Sequence, residues 1–194
     1  MKYLLLFALP LLYPVLLSSQ CKIALDKTDE FDSTRVIATA PIVLGYLIAS
    51  GNVTEDLAGQ QAVEEAKAIF SFSNEKNIRS FFLTLGVVER KFYMIQPNYN
   101  VWLKFVDGTI VKLLNVPDEG EFDRKVLMWK FMHTCVIPLE IFHRMKNERV
   151  ETIRIEYTDY KKTIELEEKQ QIALQNAVKC VEERLLKQTQ TIKP

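Results

Sequence analysis

The chain has 194 residues, balanced charge (25 Lys and Arg against 25 Asp and Glu) and 48% hydrophobic residues. That length fits one domain with at most a small appendage, and so large an apolar fraction excludes wholesale disorder. Zero net charge supplies no basic field for a phosphate backbone, so no nucleic-acid partner is expected. Six glycines and seven prolines exclude collagen-like and low-complexity chains, and three cysteines are too few for a disulfide-dense scaffold.

The first twenty residues stand apart. Lys2 supplies one positive charge, residues 3–17 are almost wholly apolar, and Ser18, Ser19 and Gln20 close the stretch. This is the order of a secretory signal peptide, which assigns 1–20 to export and 21–194 to a single mature domain. The apolar run of about fifteen residues falls short of the roughly twenty that span a bilayer, and Pro10 and Pro14 interrupt it. No transmembrane span is therefore expected after cleavage. Cys21 follows directly and raises the question of lipidation. A lipobox wants an aliphatic residue three places before the cysteine and a small one just before it, where this chain has Ser18 and Gln20. Ordinary cleavage near Ser19 or Gln20 fits better, which favours a periplasmic or secreted protein over an outer-membrane lipoprotein. Loss of residues 1–20 removes only Lys2 and leaves the mature chain at a net charge of −1.

The mature chain opens with short extended segments at 22–25, 35–39 and 42–48, separated by the polar run 29–33 and by Pro41. Thr54 then reads as a helix cap, with Glu55 and Asp56 where the helix dipole favours acids. Leu57, Ala62, Ala66, Ile69 and Phe70 follow at helical spacing, so a helix is expected over 55–68. From Phe70 onward the period is that of strands, with Phe81, Leu83, Leu85 and Val87 alternating with Phe82, Thr84 and Gly86. Strands are expected at 92–96 and 100–106, with a turn at 96–98. Asp107-Gly108 reads as a two-residue type I′ hairpin, pairing Phe105 with Ile110 and Trp102 with Leu113. Both faces of that ribbon carry large apolar groups, which predicts cover on both sides.

Residues 116–125 read as a polar loop. In the strand expected over 126–137, the odd positions Leu127, Trp129, Phe131, His133, Cys135 and Ile137 make one apolar face. Pro138 suits a helix start, and Leu139, Phe142 and Met145 give a short helix its buried stripe. Ile153, Ile155 and Tyr157 alternate with polar residues as a half-wet strand that turns back into 163–166. An amphipathic helix over 168–188 closes the chain, with Leu174, Val178, Val181 and Leu185 on one stripe. The expected fold is α+β: an antiparallel sheet, sandwich- or half-barrel-like, covered by a C-terminal helix and one or two short helices.

Four places carry a resemblance. They are Cys21 followed by Asp29-Glu30-Phe31, the run Val101-Trp102-Leu103-Lys104-Phe105-Val106-Asp107-Gly108, the helix at 139–146 leading into 150–157, and the closing strand and helix of 163–186. Together they make the chain similar to small, uncharacterised exported proteins of Bacteroidota-type bacteria. The chain departs from that pattern at Asp32-Ser33, where Thr-Gly is common, and at Tyr160, where Gly is usual. The resemblance implies an antiparallel sheet with helical cover and an envelope location, and it implies no reaction.

Candidates for chemistry are few. His133 and His143 lack the spacing of a zinc site, and His133 on its strand's apolar face reads as a hydrogen-bonded core residue. Cys135 reads as a packing thiol, Cys180 lies on a helix flank, and in an oxidising envelope two of Cys21, Cys135 and Cys180 can pair. No G-x-S-x-G elbow, P-loop or dinucleotide fingerprint occurs, and no cofactor or metal is implied. Glu119, Glu121 and Asp123 form an acidic loop of ordinary solvated kind. Asn52-Val53-Thr54 matches a glycosylation triplet that matters only in a eukaryotic secretory pathway. Tyr93, Tyr99, Trp102 and Trp129 are candidates to line a ligand site, against the ordinary alternative of strand core. The expected function is that of a non-catalytic exported envelope protein contacting a protein or polymer. The alternative is a lipocalin-like carrier with a cavity between sheet and helices, and a weaker third reading is a hydrolase whose acids converge only in space.

Overall fold

A computed structural model describes residues 22–49 and 61–189. Among the described residues eleven strands form one sheet: β1 (Ile23–Thr28), β2 (Arg35–Thr39), β3 (Ile42–Ala49), β4 (Gln61–Glu75), β5 (Ile78–Glu89), β6 (Asn98–Phe105), β7 (Ile110–Pro117), β8 (Glu121–Asp123), β9 (Met128–Ile137), β10 (Val150–Glu156) and β11 (Lys161–Glu165). Two helices are described, α1 (Leu139–Asn147) and α2 (Glu168–Thr189). All strand pairs are antiparallel, in the order β1-β2-β4-β5-β9-β7-β6-β10-β11. β3 pairs with β4, and β8 with β9, alongside that path.

The two longest ladders carry the frame. β4 runs beside β5 from Ala66↔Val87 to Glu75↔Ile78, and β5 beside β9 from Phe81↔Ile137 to Glu89↔Trp129. Residues directly opposite in such ladders share a face. The inner face therefore collects Ala66, Ala68 and Phe70 of β4, Leu83, Leu85 and Val87 of β5, and Phe131, Cys135 and Ile137 of β9, all buried. Helix α2 lays Leu174, Ala177, Val178 and Val181 onto that face and touches β2, β3, β4 and β10. Strands from both ends of the sheet thus meet one helix, so the open sheet curls about it. Asp26 of β1 fastens the rim, accepting hydrogen bonds from Arg35 of β2 and Arg184 of α2.

Several expectations are corrected. Residues 61–68 belong to β4, not to a helix, and 55–60 lie outside the described residues. Ala66, Ala68, Phe70 and Phe72 are buried at a period of two, and pairing with both β3 and β5 outweighs the local helical spacing. Residues 92–96 form no strand. The β6–β7 hairpin pairs Lys104 with Ile110 and Trp102 with Lys112, one residue from the expected register. Within its turn only Gly108 has positive φ (87°), its N–H donates to the Phe105 carbonyl, and the Phe105 N–H donates to the Thr109 carbonyl. This is a three-residue loop with a left-handed glycine, which shifts every pair by one. The ribbon's outer face is not covered either: Ile110, Leu114 and Val116 of β7 and Met132 of β9 are exposed.

Other elements match the sequence reading closely. β2 has the expected bounds, α1 and α2 end one residue beyond theirs, and α1 buries Phe142 and Met145 but leaves Leu139 exposed. Leu127, expected on the β9 core face, precedes that strand with positive φ and is exposed.

Candidate functional site

Polar residues on the inner face are the features a pure core would lack. Glu89 continues the buried series Leu83, Leu85, Val87 at the end of β5. Lys162 of β11 pairs with Ile155 of β10 and so faces inward beside Ile164; both Lys162 and Glu89 are 5% exposed. Lys162 Nζ lies 2.8 Å from a Glu65 carboxylate oxygen and 3.5 Å from Glu89 Oε1. β11 is the last strand of the sheet path, and it reaches β4 and β5 only because the sheet curls.

Glu65 is aimed by a local irregularity. The β3–β4 register shifts on both sides of Gly45, leaving Leu44 and Glu65 unpaired between matched positions. A bulge of this kind bends a strand and redirects a side chain. Gly45 leaves the room, since a Cβ there would stand 3.0 Å from Glu65 Oε2.

Glu89 Oε1 makes no hydrogen bond of ordinary length, since its nearest donor, Lys162 Nζ, stands 3.5 Å away. Burial raises the Glu89 carboxyl above its ordinary value against the pull of Lys162. At Lys162 burial acts downward, yet the Glu65 hydrogen bond and the two carboxylate charges outweigh it and leave the ammonium raised. Removing charges from water costs several kcal/mol per ion, and well-packed apolar residues often serve stability as well or better.

Tyrosines flank the cluster. Tyr157 and Tyr160 close the β10–β11 turn, with the Tyr157 N–H donating to the Tyr160 carbonyl. Tyr93 stacks on Tyr160 (ring centroids 4.4 Å apart) and leans on Tyr157 at 5.4 Å. Burial, then the Glu89 charge, raises the Tyr157 hydroxyl far above its usual range. Beyond Tyr157 an aromatic tract runs through Phe131 and Phe92 to Trp129 and Phe122, with centroid spacings of 4.9–5.9 Å. Phe92 and Phe122 are exposed, so this tract of ring contacts runs from the surface to Tyr157, whose hydroxyl feels the Glu89 charge.

A second polar chain meets the first at Tyr157. His133 is fully buried, with Nε2 3.2 Å from the Tyr157 hydroxyl and Nδ1 3.3 Å from Asn115 Nδ2. Asn115 Nδ2 also donates to Asn100 Oδ1 at 2.9 Å. With the amide donating to Nδ1, the imidazole proton is assigned to Nε2 and donates to Tyr157. Burial lowers the His133 pKa to about 4, so the ring is neutral at pH 7. Such an imidazole is a hydrogen-bonded core group; His143 is exposed on α1.

The aromatic candidates do not converge on one place. Tyr93 joins the tyrosine cluster and Trp129 the tract, but Tyr99 is exposed on β6. Trp102 faces outward beneath Lys112 Nζ, 4.1 Å from the ring centroid. Cys135 is a buried free thiol, pushed up to about 12 by burial, whereas Cys180 is disulfide-bonded. Cys21 and Asn52-Val53-Thr54 lie outside the described residues. Glu119 and Glu121 point to solvent, while Asp123 pairs with Lys130, so the acidic loop assembles no carboxylate pair. Sequence reading missed Glu65, Glu89 and Lys162. For two of them a signal existed: Glu89 is in phase with Leu83, Leu85 and Val87, and Lys162 with Ile164 and Leu166.

Among the described residues no group of three His, Cys, Asp or Glu side chains could hold a metal ion, and no helix is long and apolar enough to cross a membrane. A scan against protein-family models, a search of curated proteins and a search of solved structures each found no match.

Proposed function

We propose that the protein is a non-catalytic binding protein exported to the cell envelope, and that it takes a small ligand along the aromatic tract. The observation that carries this reading is the run of ring contacts from exposed Phe92 and Phe122 to Tyr157, near the inward Glu89–Lys162–Glu65 cluster. Ligand sites commonly combine an apolar, aromatic lining with a few convergent polar groups. Export is supported by the signal-like residues 1–20, and the disulfide at Cys180 suits an oxidising compartment.

The test uses the mature chain carrying Trp102→Phe, which leaves Trp129 as sole tryptophan. Titration with the neutral dye N-phenyl-1-naphthylamine should give saturable binding with energy transfer from Trp129. Phe92→Ser and Tyr93→Ser should each weaken binding several-fold. No saturable binding, or binding indifferent to both changes, overturns the reading.

A second reading is contact with an envelope protein or polymer through the outer sheet face, where Ile110, Leu114, Val116 and Met132 stand exposed. Dye binding that ignores the tract substitutions but falls with Val116→Lys and Met132→Lys favours this reading instead.

A further inference from the structure

We propose that the polar end of this site recognises an organic ammonium group, with Glu89 Oε1 as the atom that receives it. The inference rests on the binding reading above and names the chemistry of the ligand's head.

Glu89 Oε1 is an acceptor shut away from water that makes no short hydrogen bond, its nearest donor Lys162 Nζ standing 3.5 Å away, although buried polar groups are almost always satisfied. What the position lacks is a close donor. Lys162 does not fill that role, since its short contact, 2.8 Å, is to Glu65. The charges point the same way. One Lys162 serves two carboxylates, so with both ionised the group carries one uncompensated negative charge. A ligand hydroxyl would satisfy the hydrogen bond and leave that charge buried. An ammonium satisfies both, and a charge-assisted bond to a carboxylate is about twice as strong as a neutral one. The tyrosine cluster of Tyr93, Tyr157 and Tyr160 is aromatic surroundings of a kind that favours a cation over an anion. A carboxylate ligand would need Lys162 free, and Lys162 is already held by two acids.

The β-bulge gives an independent argument. Gly45 and the double register shift turn Glu65 inward, where its carboxylate holds the lysine. That arrangement draws the lysine's short contact to Glu65 and leaves Glu89 with only the longer one.

Calorimetric titration of the mature chain with benzylamine, benzyl alcohol and phenylacetate separates the alternatives, because the three share a ring and differ in the head. Benzylamine should bind at least tenfold more tightly than benzyl alcohol, and phenylacetate should be weakest. Glu89→Gln keeps the shape and removes the charge, so it should bring benzylamine within about twofold of benzyl alcohol. Its circular dichroism and urea midpoint at pH 7 should show a folded protein, so that lost discrimination is not lost structure. If that variant fails to fold, Glu65→Gln provides the second arm: Lys162 is then released to Glu89, and benzylamine binding should fall at least tenfold. Equal affinity for amine and alcohol, or preference for phenylacetate, overturns the inference. Retained dye binding in that case leaves the binding reading standing, whereas loss of both ends both.

Discussion

Lowering the pH from 7 to 5 should destabilise this protein through His133 in particular. The folded-state pKa is about 4, against 6.5 for a free imidazole, because the buried ring has no water to solvate a charge. The sign follows from proton counting. Between these values the unfolded chain takes up a proton that the folded chain refuses, so stability is lost as pH falls through 6.5 toward 4. At 1.36 kcal/mol per pKa unit, the loss is about 2 kcal/mol by pH 5 and about 3 kcal/mol near pH 4. Urea unfolding at pH 7, 6 and 5 measures it. With a slope of roughly 2 kcal/mol per molar urea, the midpoint should drop by about 1 M between pH 7 and 5. Glu89 acts in the opposite sense, since its raised carboxyl takes up a proton first in the folded state. The control is His133→Gln, which keeps a neutral polar group between Asn115 and Tyr157. Glu89 is present in both chains, so the difference between their pH profiles isolates the imidazole. The variant should be weaker than the parent at pH 7 by about 1–3 kcal/mol and should lose less on acidification. Parallel profiles for parent and variant would refute the reasoning.

Gly108 has φ +87°, and a Cβ added there would meet nothing within 4 Å, so its substitution is a purely conformational experiment. Gly108→Ala should cost about 1 kcal/mol and Gly108→Val about 2 kcal/mol in chemical denaturation, because a left-handed backbone resists branched side chains; two neutral substitutions would count against the three-residue loop. His143→Ala, on an exposed helix position, should stay within about 0.5 kcal/mol of the parent. Peptide mapping without reductant should find Cys180 in a disulfide and Cys135 as a thiol that alkylates only after unfolding; a Cys135 that labels rapidly in the native protein contradicts its burial and raised pKa. Intact-mass analysis of exported protein should give a chain beginning near residues 19–21, and a mature product retaining residues 2–18 would remove the export signal.

Much of the architecture was written locally. β2, β10, α1 and α2 each carry one unambiguous period, and α2 buries Leu174, Val178 and Val181 as its spacing demands. His133 was legible as a core imidazole for the same reason, a polar residue in phase with an apolar face. Residues 61–68 were not legible, because Ala62, Ala66 and Ile69 satisfy a helical period while Ala66, Ala68 and Phe70 satisfy a strand period. Only pairing with β3 and β5, which is non-local, chooses between them. The Asp107-Gly108 turn likewise admits a two- or a three-residue loop, and the choice moves the β7 partner of Trp102 from Leu113 to Lys112. The candidate site was decided almost wholly by tertiary structure. Glu65 and Glu89 lie on the neighbouring strands β4 and β5, but Lys162 comes from β11, far along the chain. They meet because the sheet curls about α2 and because a bulge opposite Gly45 turns one carboxylate inward. Sequence determines which face a side chain takes along its own strand, since that is a matter of local period. Which strands then face each other across the core depends on long-range pairing that no local window contains.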